Sequence, residues 1–256
     1  MVILRFVGAF VSLLLFTLSL RAEPLLIGRG DGQYPPYEWM EGKAFKGIHI
    51  DLITKAANNL GIEFSIINLP WSRGLILLKQ GKLAALTFMS KNPERNEFAL
   101  FLPGNVLSTT NQLLFRLKEN YKFSFSGDLN SLKDSSVGVQ RGFSYGEQFD
   151  SSNLFTRHYL KKYSQVLDMV LLERLNFGLV NKLELLYLFR GSNKLQKIEF
   201  EAEPINQSDV YLAFSRKAGT NKIAKLFADK INHLKENGYY QQLVQHYLSS
   251  NQKNKP

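Results

Sequence analysis

No cysteine occurs in the chain. That absence excludes disulfides, thiolate metal sites, cysteine nucleophiles and lipid attached to an N-terminal cysteine. Histidine is scarce, and His49, His158, His233 and His246 show no metal-ligand spacing. Neither a glycine-rich phosphate loop nor a nucleophile elbow is present. No nucleic-acid motif accompanies the formal charge of +10, and the Lys and Arg residues are scattered apart from a polar, basic tail at Asn251–Pro256. The charge therefore reads as solvated surface rather than as a nucleic-acid or membrane footprint. Carboxylates suited to general acid–base work are few: Asp31 and Glu38 are the only loop candidates, and each also fits an ordinary turn or solvent role.

What is present begins with an apolar run. Arg5 precedes an uncharged stretch from Phe6 to Leu20, followed by Arg21 and Ala22. This is a secretory signal pattern. A membrane anchor is the competing reading, but about fifteen apolar residues fall short of the ~20 that span a bilayer. Cleavage after Ala22 would remove two arginines and no acids, lowering the charge from +10 to +8. The expected product is a free periplasmic protein. The remaining length suits one large domain or two small lobes, and 45% apolar with 21% charged residues is ordinary globular composition.

From Leu25 onward short apolar runs alternate with helical stretches, the pattern of a sheet covered by helices. Strands are expected at Leu25–Gly28, Ile62–Asn68, Leu83–Phe88, Ser136–Gln140 and Asn176–Val180. Helices are expected at Ile48–Leu60 with Gly61 as its stop, after Pro70-Trp71-Ser72 to near Gly81, at Ser164–Arg174, Lys182–Phe189 and Asn221–Glu236, and at Tyr239–Leu248 after the stop at Gly238. Asn92-Pro93-Glu94-Arg95 starts a helix with Asn as cap, Pro in the first turn and an acid near the positive end. Thr109–Lys118 and Asp209–Ser215 read as extended crossings. A faint internal echo links Leu77-Leu78-Lys79-Gln80-Gly81-Lys82-Leu83 to Leu171-Leu172-Glu173-Arg174-Leu175, each with a helix, a basic residue and a Leu before a strand.

These residues resemble the periplasmic solute-binding proteins of the polar-amino-acid ABC transporter type. The likeness covers nearly all of 24–248 and rests on Ile27-Gly28-x-x-Asp31 with Tyr34-x-Pro36-Tyr37, Gly47-Ile48-x-Ile50-Asp51-Leu52-Ile53, Pro70-Trp71-Ser72-Arg73, Met89-Ser90-x-x-Pro93-Glu94-Arg95, Gly138-Val139-Gln140-x-Gly142-x-Ser144 and Asn237-Gly238-Tyr239. It implies an α/β, two-lobed periplasmic-binding-protein fold of type II, each lobe a central sheet flanked by helices, joined by a two-strand hinge. Residues 1–22 would be the signal peptide, 23–115 and 210–256 one discontinuous lobe and 116–209 the other, with crossings near 111–118 and 207–213. A structure with one continuous sheet through both halves would sink that division.

The resemblance also implies a site. An Arg at the place of Arg95 grips the ligand carboxylate with help from Ser90, which suits the planar fork of a guanidinium beside a helix start. Trp71 stacks on the ligand, Asp31, Tyr34 and Tyr37 line the first wall with Arg73 and Met89 beside them, and Phe88 offers backbone polar groups. In the second lobe Phe143 and Ser144 meet the carboxylate on closure, and Arg141 borders the cleft. The competing readings are a surface Arg95 paired with Glu94 or Glu97, core packing for Trp71, partly buried rings in a Pro-rich turn for Tyr34 and Tyr37, and an N-cap for Ser144.

One departure bears on the ligand. Relatives that bind amino acids usually carry Asp, the ammonium partner, where this chain has Asn181. With Arg29, Arg73, Arg95 and Arg141 all expected near the cleft, an anionic solute lacking an α-ammonium is favoured, unless Asn181 merely caps the helix at Lys182 and Asp31 or Glu38 supplies the charge. The function implied is binding by hinge closure, as a monomer without cofactor or metal, for delivery to an ABC permease. A sensor working with a membrane partner and a dehydratase-like enzyme on the same scaffold are the alternatives.

Overall fold

A computed structural model describes residues 24–120 and 122–249, so the apolar N-terminal run and the basic tail at 251–256 lie outside the described residues. The first half opens with β1 (Leu25–Gly30), followed by a short hairpin of β2 (Trp39–Glu41) and β3 (Ala44–Lys46). Next come α1 (Ile48–Leu60), β4 (Phe64–Leu69), α2 (Trp71–Gln80), β5 (Ala85–Ser90), the single turn α3 (Pro93–Asn96) and the two-residue β6 (Ala99–Leu100). β1 lies between β4 and β5 with both neighbours parallel. The expected helix stops are observed: Gly61 and Gly81 both take left-handed backbone at φ 64° and 77°.

The chain then crosses on β7 (Val106–Leu117) into the second half, with β8 (Ser136–Gln140), α4 (Glu147–Ser151), β9 (Thr156–Leu160), α5 (Tyr163–Leu171), β10 (Phe177–Asn181) and α6 (Lys182–Leu188). It returns on the long β11 (Ile198–Ser215) and closes with α7 (Asn221–Glu236) and α8 (Tyr239–Ser249). β8 is parallel to both β9 and β10. The architecture is thus the α/β, two-lobed periplasmic-binding-protein fold of type II.

Strand pairing is continuous through both halves, in the order β4-β1-β5-β11-β7-β10-β8-β9 with β6 on β11. The two crossings are themselves paired, from Ile198 opposite Leu117 to Tyr211 opposite Val106, with register shifts between Phe200 and Asn206 and again at Val210–Tyr211. Hydrogen bonding therefore does not divide the molecule, which is the outcome set against the division into 23–115 with 210–256 and 116–209. The buried apolar side chains nevertheless gather in separate groups. Ile27, Leu52, Ile53, Phe214, Phe227 and Ile231 form one core under α1, α7 and α8, with Leu78, Leu86 and Met89 on the other face under α2. In the second half Val137, Phe149, Phe155 and Phe177 pack on one face, and Phe115, Val166, Leu167 and Leu175 on the other, under α5. Among the described residues no helix is long and apolar enough to cross a membrane.

Candidate functional site

The parallel strands of each half end toward the other half, so β1, β5, β8 and β10 deliver their C-terminal residues to one junction, the place where open α/β sheets bind ligands. On the first wall, the Trp71 ring lies over the end of β1: a Cβ at Gly30 would stand 3.3 Å from Trp71 Cε3. Asn92 caps α3 as expected, its Oδ1 accepting from the Arg95 N–H at 2.8 Å. The cap turns Arg95 back on the sheet, where Nη1 donates to the Ser90 carbonyl at 2.9 Å and the guanidinium sits 5.4 Å above the Trp71 ring. Neither Glu94 nor Glu97 pairs with it, and among the described residues no acid forms an ion pair with it.

Beside this arginine, Tyr34 stacks on Phe88 with centroids 5.0 Å apart and an interplanar angle of 10°. Phe88 stands at φ 54°, rare for a bulky residue. The cause is a bulge: β5 and β11 shift register so that Thr87 and Phe88 face a single residue of β11. The bulge takes Phe88 off the ladder and turns its backbone toward the junction.

Under the wall lies a buried charge cluster that the sequence did not disclose. Arg29, expected to border the cleft, is fully buried; it donates to Asn68 Oδ1 at 2.5 Å and to the Gly32 and Glu38 carbonyls. Glu38, 1% exposed, holds its Oε1 3.7 Å from Arg29 Nε and accepts from Thr87 at 3.1 Å. Its Oε2 lies 3.6 Å from Nδ1 of the fully buried His49, whose Nε2 meets Ser108 Oγ at 2.8 Å. Burial lowers the His49 pKa against the opposing pull of Glu38, and lowers that of Arg29 as well. Arg29, Glu38 and His49 thus brace the loop that carries Tyr34 and Tyr37, and Glu38 supplies no charge to a ligand.

The second wall is built around Asn181 at the end of β10. Its Oδ1 accepts both the Glu184 N–H and the Tyr37 hydroxyl, each at 3.1 Å, so Asn181 caps α6 and bonds across to the first half. Its own N–H donates to the Tyr163 hydroxyl at 3.3 Å. Next to it a cavity of about 310 Å³ is lined by Gln140, Lys162, Tyr163, Ser164, Glu184, Leu188 and Phe189. Glu184 was not singled out in the sequence, because an acid in the first turn of a helix is commonplace. Here burial pushes its carboxyl up to about 7, and its charge reaches the hydroxyls of Tyr34 and Tyr37 in the first half as well as Tyr145 and Tyr163 in the second.

The remaining candidates differ in burial and in bonding. The Met89 side chain is fully buried in the core beneath α2, so it packs rather than lining the wall. Ser144 does not cap a helix; its hydroxyl donates to Asp150 at 2.5 Å, and Gly146 is the N-cap of α4. Asp31, Arg73, Arg141 and Phe143 are exposed, Phe143 by 48%. Of the four arginines expected at the cleft, the structure brings Arg95 to the aromatic wall and takes Arg29 into the interior. Among the described residues no group of three acids or histidines could hold a metal ion.

The model of the bacterial extracellular solute-binding proteins, family 3, matches residues 27–250. The chain belongs to this family. Among individual relatives, the arginine-binding extracellular protein ArtP of Bacillus subtilis (strain 168) is 20% identical over 228 residues, covering 88% of this chain and 86% of ArtP. Among solved structures, the substrate-binding protein of a polar amino acid ABC uptake transporter from Streptococcus thermophilus superposes with a TM-score of 0.70 at 18% identity, over 88% of this chain and 85% of that one. A histidine kinase sensor domain similar to periplasmic binding proteins superposes at 0.60 with 19% identity, over 90% and 97%. At such identities these structures share the fold alone with this family member.

Proposed function

We propose that this extracellular solute-binding protein takes a small solute bearing a carboxylate between its two halves, closes on it about the β7–β11 crossings, and delivers it to an ABC importer. Arg95 carries the reading. A guanidinium fixed by one bond to the Ser90 carbonyl, backed by the Trp71 ring and paired with no acid of the described chain, presents its other donors to a planar anion. The register shifts in β11 near Pro204 and Val210 put irregular backbone at both ends of the crossing, where hinge rotation is absorbed most easily. Binding without chemistry is favoured because Glu38 and His49 are engaged with each other and Asp31 is exposed. Delivery to an importer is supported by the family and by the transporter proteins it resembles.

Calorimetric titration tests the site. Arg95→Ala should weaken carboxylate-bearing solutes at least tenfold, within the ~2–5 kcal/mol seen when one partner of a desolvated charged pair is removed. The melting temperature of the ligand-free protein should hardly move. Unchanged affinity would remove Arg95 from the site. The likeness to a histidine kinase sensor domain supports a second reading, in which the same closure is read by a membrane sensor; capture of a permease or of a receptor by the liganded protein separates the two.

A further inference from the structure

We propose that Tyr37 and Trp39 of the first half and Asn181 and Tyr187 of the second form a clasp that holds the two halves together without solute, so that the empty protein rests closed and opening is the step that admits a solute. The proposal rests on the reading that the halves rotate about the β7–β11 crossings, and it is independent of the Arg95 clamp. Its inner contact is the bond from the Tyr37 hydroxyl to Asn181 Oδ1 at 3.1 Å, between residues that are 3% and 5% exposed. A second donor, the Glu184 N–H, takes the remaining lone pair of that oxygen, so the acceptor of Asn181 is fully used within the chain. The outer contact is between the rings of Trp39 and Tyr187, with centroids 5.6 Å apart and an interplanar angle of 50°. Between the two, Leu183 of α6 packs against the core of the first half.

The clasp has a long arm and stiff ends. Asn181 stands opposite Gln112 of β7, beside the crossings, whereas Tyr187 lies six residues further along the chain in α6, about 9 Å at ~1.5 Å per residue. Rotation of the halves therefore displaces Tyr187 from Trp39 even while β10 stays paired with β7. Each partner is also fixed by its own half. Trp39 lies edge-on to Tyr247 at 5.6 Å, and the Tyr247 hydroxyl donates to Asp51 Oδ2 at 2.6 Å and accepts the Gly47 N–H at 3.1 Å. The Tyr37 ring packs on His49 and Phe88, with centroids 5.3 Å and 5.7 Å away. Across the junction the Arg190 guanidinium lies 3.8 Å from the centre of the Tyr187 ring, and the Asn181 N–H donates to the Tyr163 hydroxyl at 3.3 Å. Groups already ordered lose little freedom on meeting, so most of the contact energy acts on the equilibrium between open and closed. A hydrogen bond and an aromatic pair each bias such an equilibrium roughly two- to tenfold, and together roughly five- to hundredfold.

Because the chain has no cysteine, two introduced thiols are the only ones that take a spin label. Ile76→Cys on α2 and Glu147→Cys on α4, both exposed, put one label on each half. Pulsed electron–electron double resonance then reads the distance between them in protein stripped of solute by denaturation and refolding. The labelled chain should show a single short distance. Tyr37→Phe removes only the hydroxyl and Tyr187→Leu only the ring, from opposite halves, and each should add a second, longer distance. The ratio of open to closed should rise roughly two- to tenfold in each variant and at least about fivefold in the double variant. A distribution that the double variant leaves unchanged overturns the proposal, whether the labelled chain shows the short distance or the long one. Arg95→Ala should leave the solute-free distances as they are; if it opens the halves as the double variant does, closure belongs to the Arg95 wall and the clasp is refuted. Loss of the Arg95 reading by calorimetry does not touch these distances, so the two readings stand or fall separately.

Discussion

Replacing Glu38 with Ala is the most demanding test of the interior described above. The side chain is buried among Arg29, His49 and Thr87, and its removal leaves the Arg29 guanidinium, fully buried, without a counter-charge. Three oxygen acceptors remain to Arg29, from Asn68, Gly32 and the backbone of residue 38, so its hydrogen bonding is largely kept while its charge is not. Breaking a buried pair from one side costs about 3–5 kcal/mol. For a chain of this size each kcal/mol lowers the melting temperature by roughly 2–4 °C, which gives a fall of about 6–20 °C. Glu38→Gln keeps the volume and an acceptor for Thr87, so the difference between the two variants separates lost packing from lost charge. The Gln variant should still lose at least ~2 kcal/mol. The assay is urea unfolding followed by circular dichroism at neutral pH, repeated at about tenfold higher salt, where a buried pair is screened little. A loss below ~1 kcal/mol for Glu38→Ala, or one that disappears in salt, would refute the reasoning.

Three further outcomes are expected. His49 is held neutral by burial below its ordinary pKa, so the unfolded chain takes up the proton first; stability should be full above about pH 6.5 and decline as pH falls beneath it, and His49→Gln should flatten that slope in pH-dependent melting. Glu173, exposed at φ 56°, occupies the left-handed place that Gly81 fills in the first half, so Glu173→Gly should raise unfolding free energy by up to ~1 kcal/mol, and a decrease would show that no strain resides there. Tyr37→Phe removes the hydroxyl bond to Asn181 and should cost about 0.5–1.5 kcal/mol of stability by chemical denaturation.

Helices that end on glycine and strands buried on both faces were legible in the sequence. Ser136–Gln140 and Asn221–Glu236 are found as read, and the Asn92 cap behaves as its chemistry requires. The echo between Leu77–Leu83 and Leu171–Leu175 also has a physical basis. Gly81 and Glu173 bond to Leu78 and Val170, and the two residues after each bond to Leu77 and Met169, so the same left-handed turn feeds β5 and β10. What escaped were elements that do not bury a regular face. β9 exposes three of its five residues, the β2–β3 hairpin is mostly outside the core, and Ile198–Ser208 alternates acids with half-buried residues around Pro204. In the site, Arg95, Trp71, Tyr34 and Phe88 could be singled out because their residue types are informative. Arg29 and Glu38 were expected at the cleft or in an open loop rather than in the interior, and Glu184 was not singled out, since whether a charged side chain faces water, an ion pair or a cavity is decided by contacts remote in the chain.

The route of the backbone has a consequence for the order of folding. The apolar contacts of the second half come almost wholly from residues 114–200, a contiguous stretch that can gather as soon as it exists. Those of the first half unite Ile27 and Leu52 with Phe214, Phe227, Ile231 and Leu243, and β5, paired with β1 on one edge, finds its second partner only when β11 returns. Closing so long a loop is slow, because its entropy is lost before its contacts form. The part made first is therefore the part finished last: Ile27, Ile48, Leu52 and Ile53 remain open to solvent, and to other chains, until the final third of the sequence has arrived.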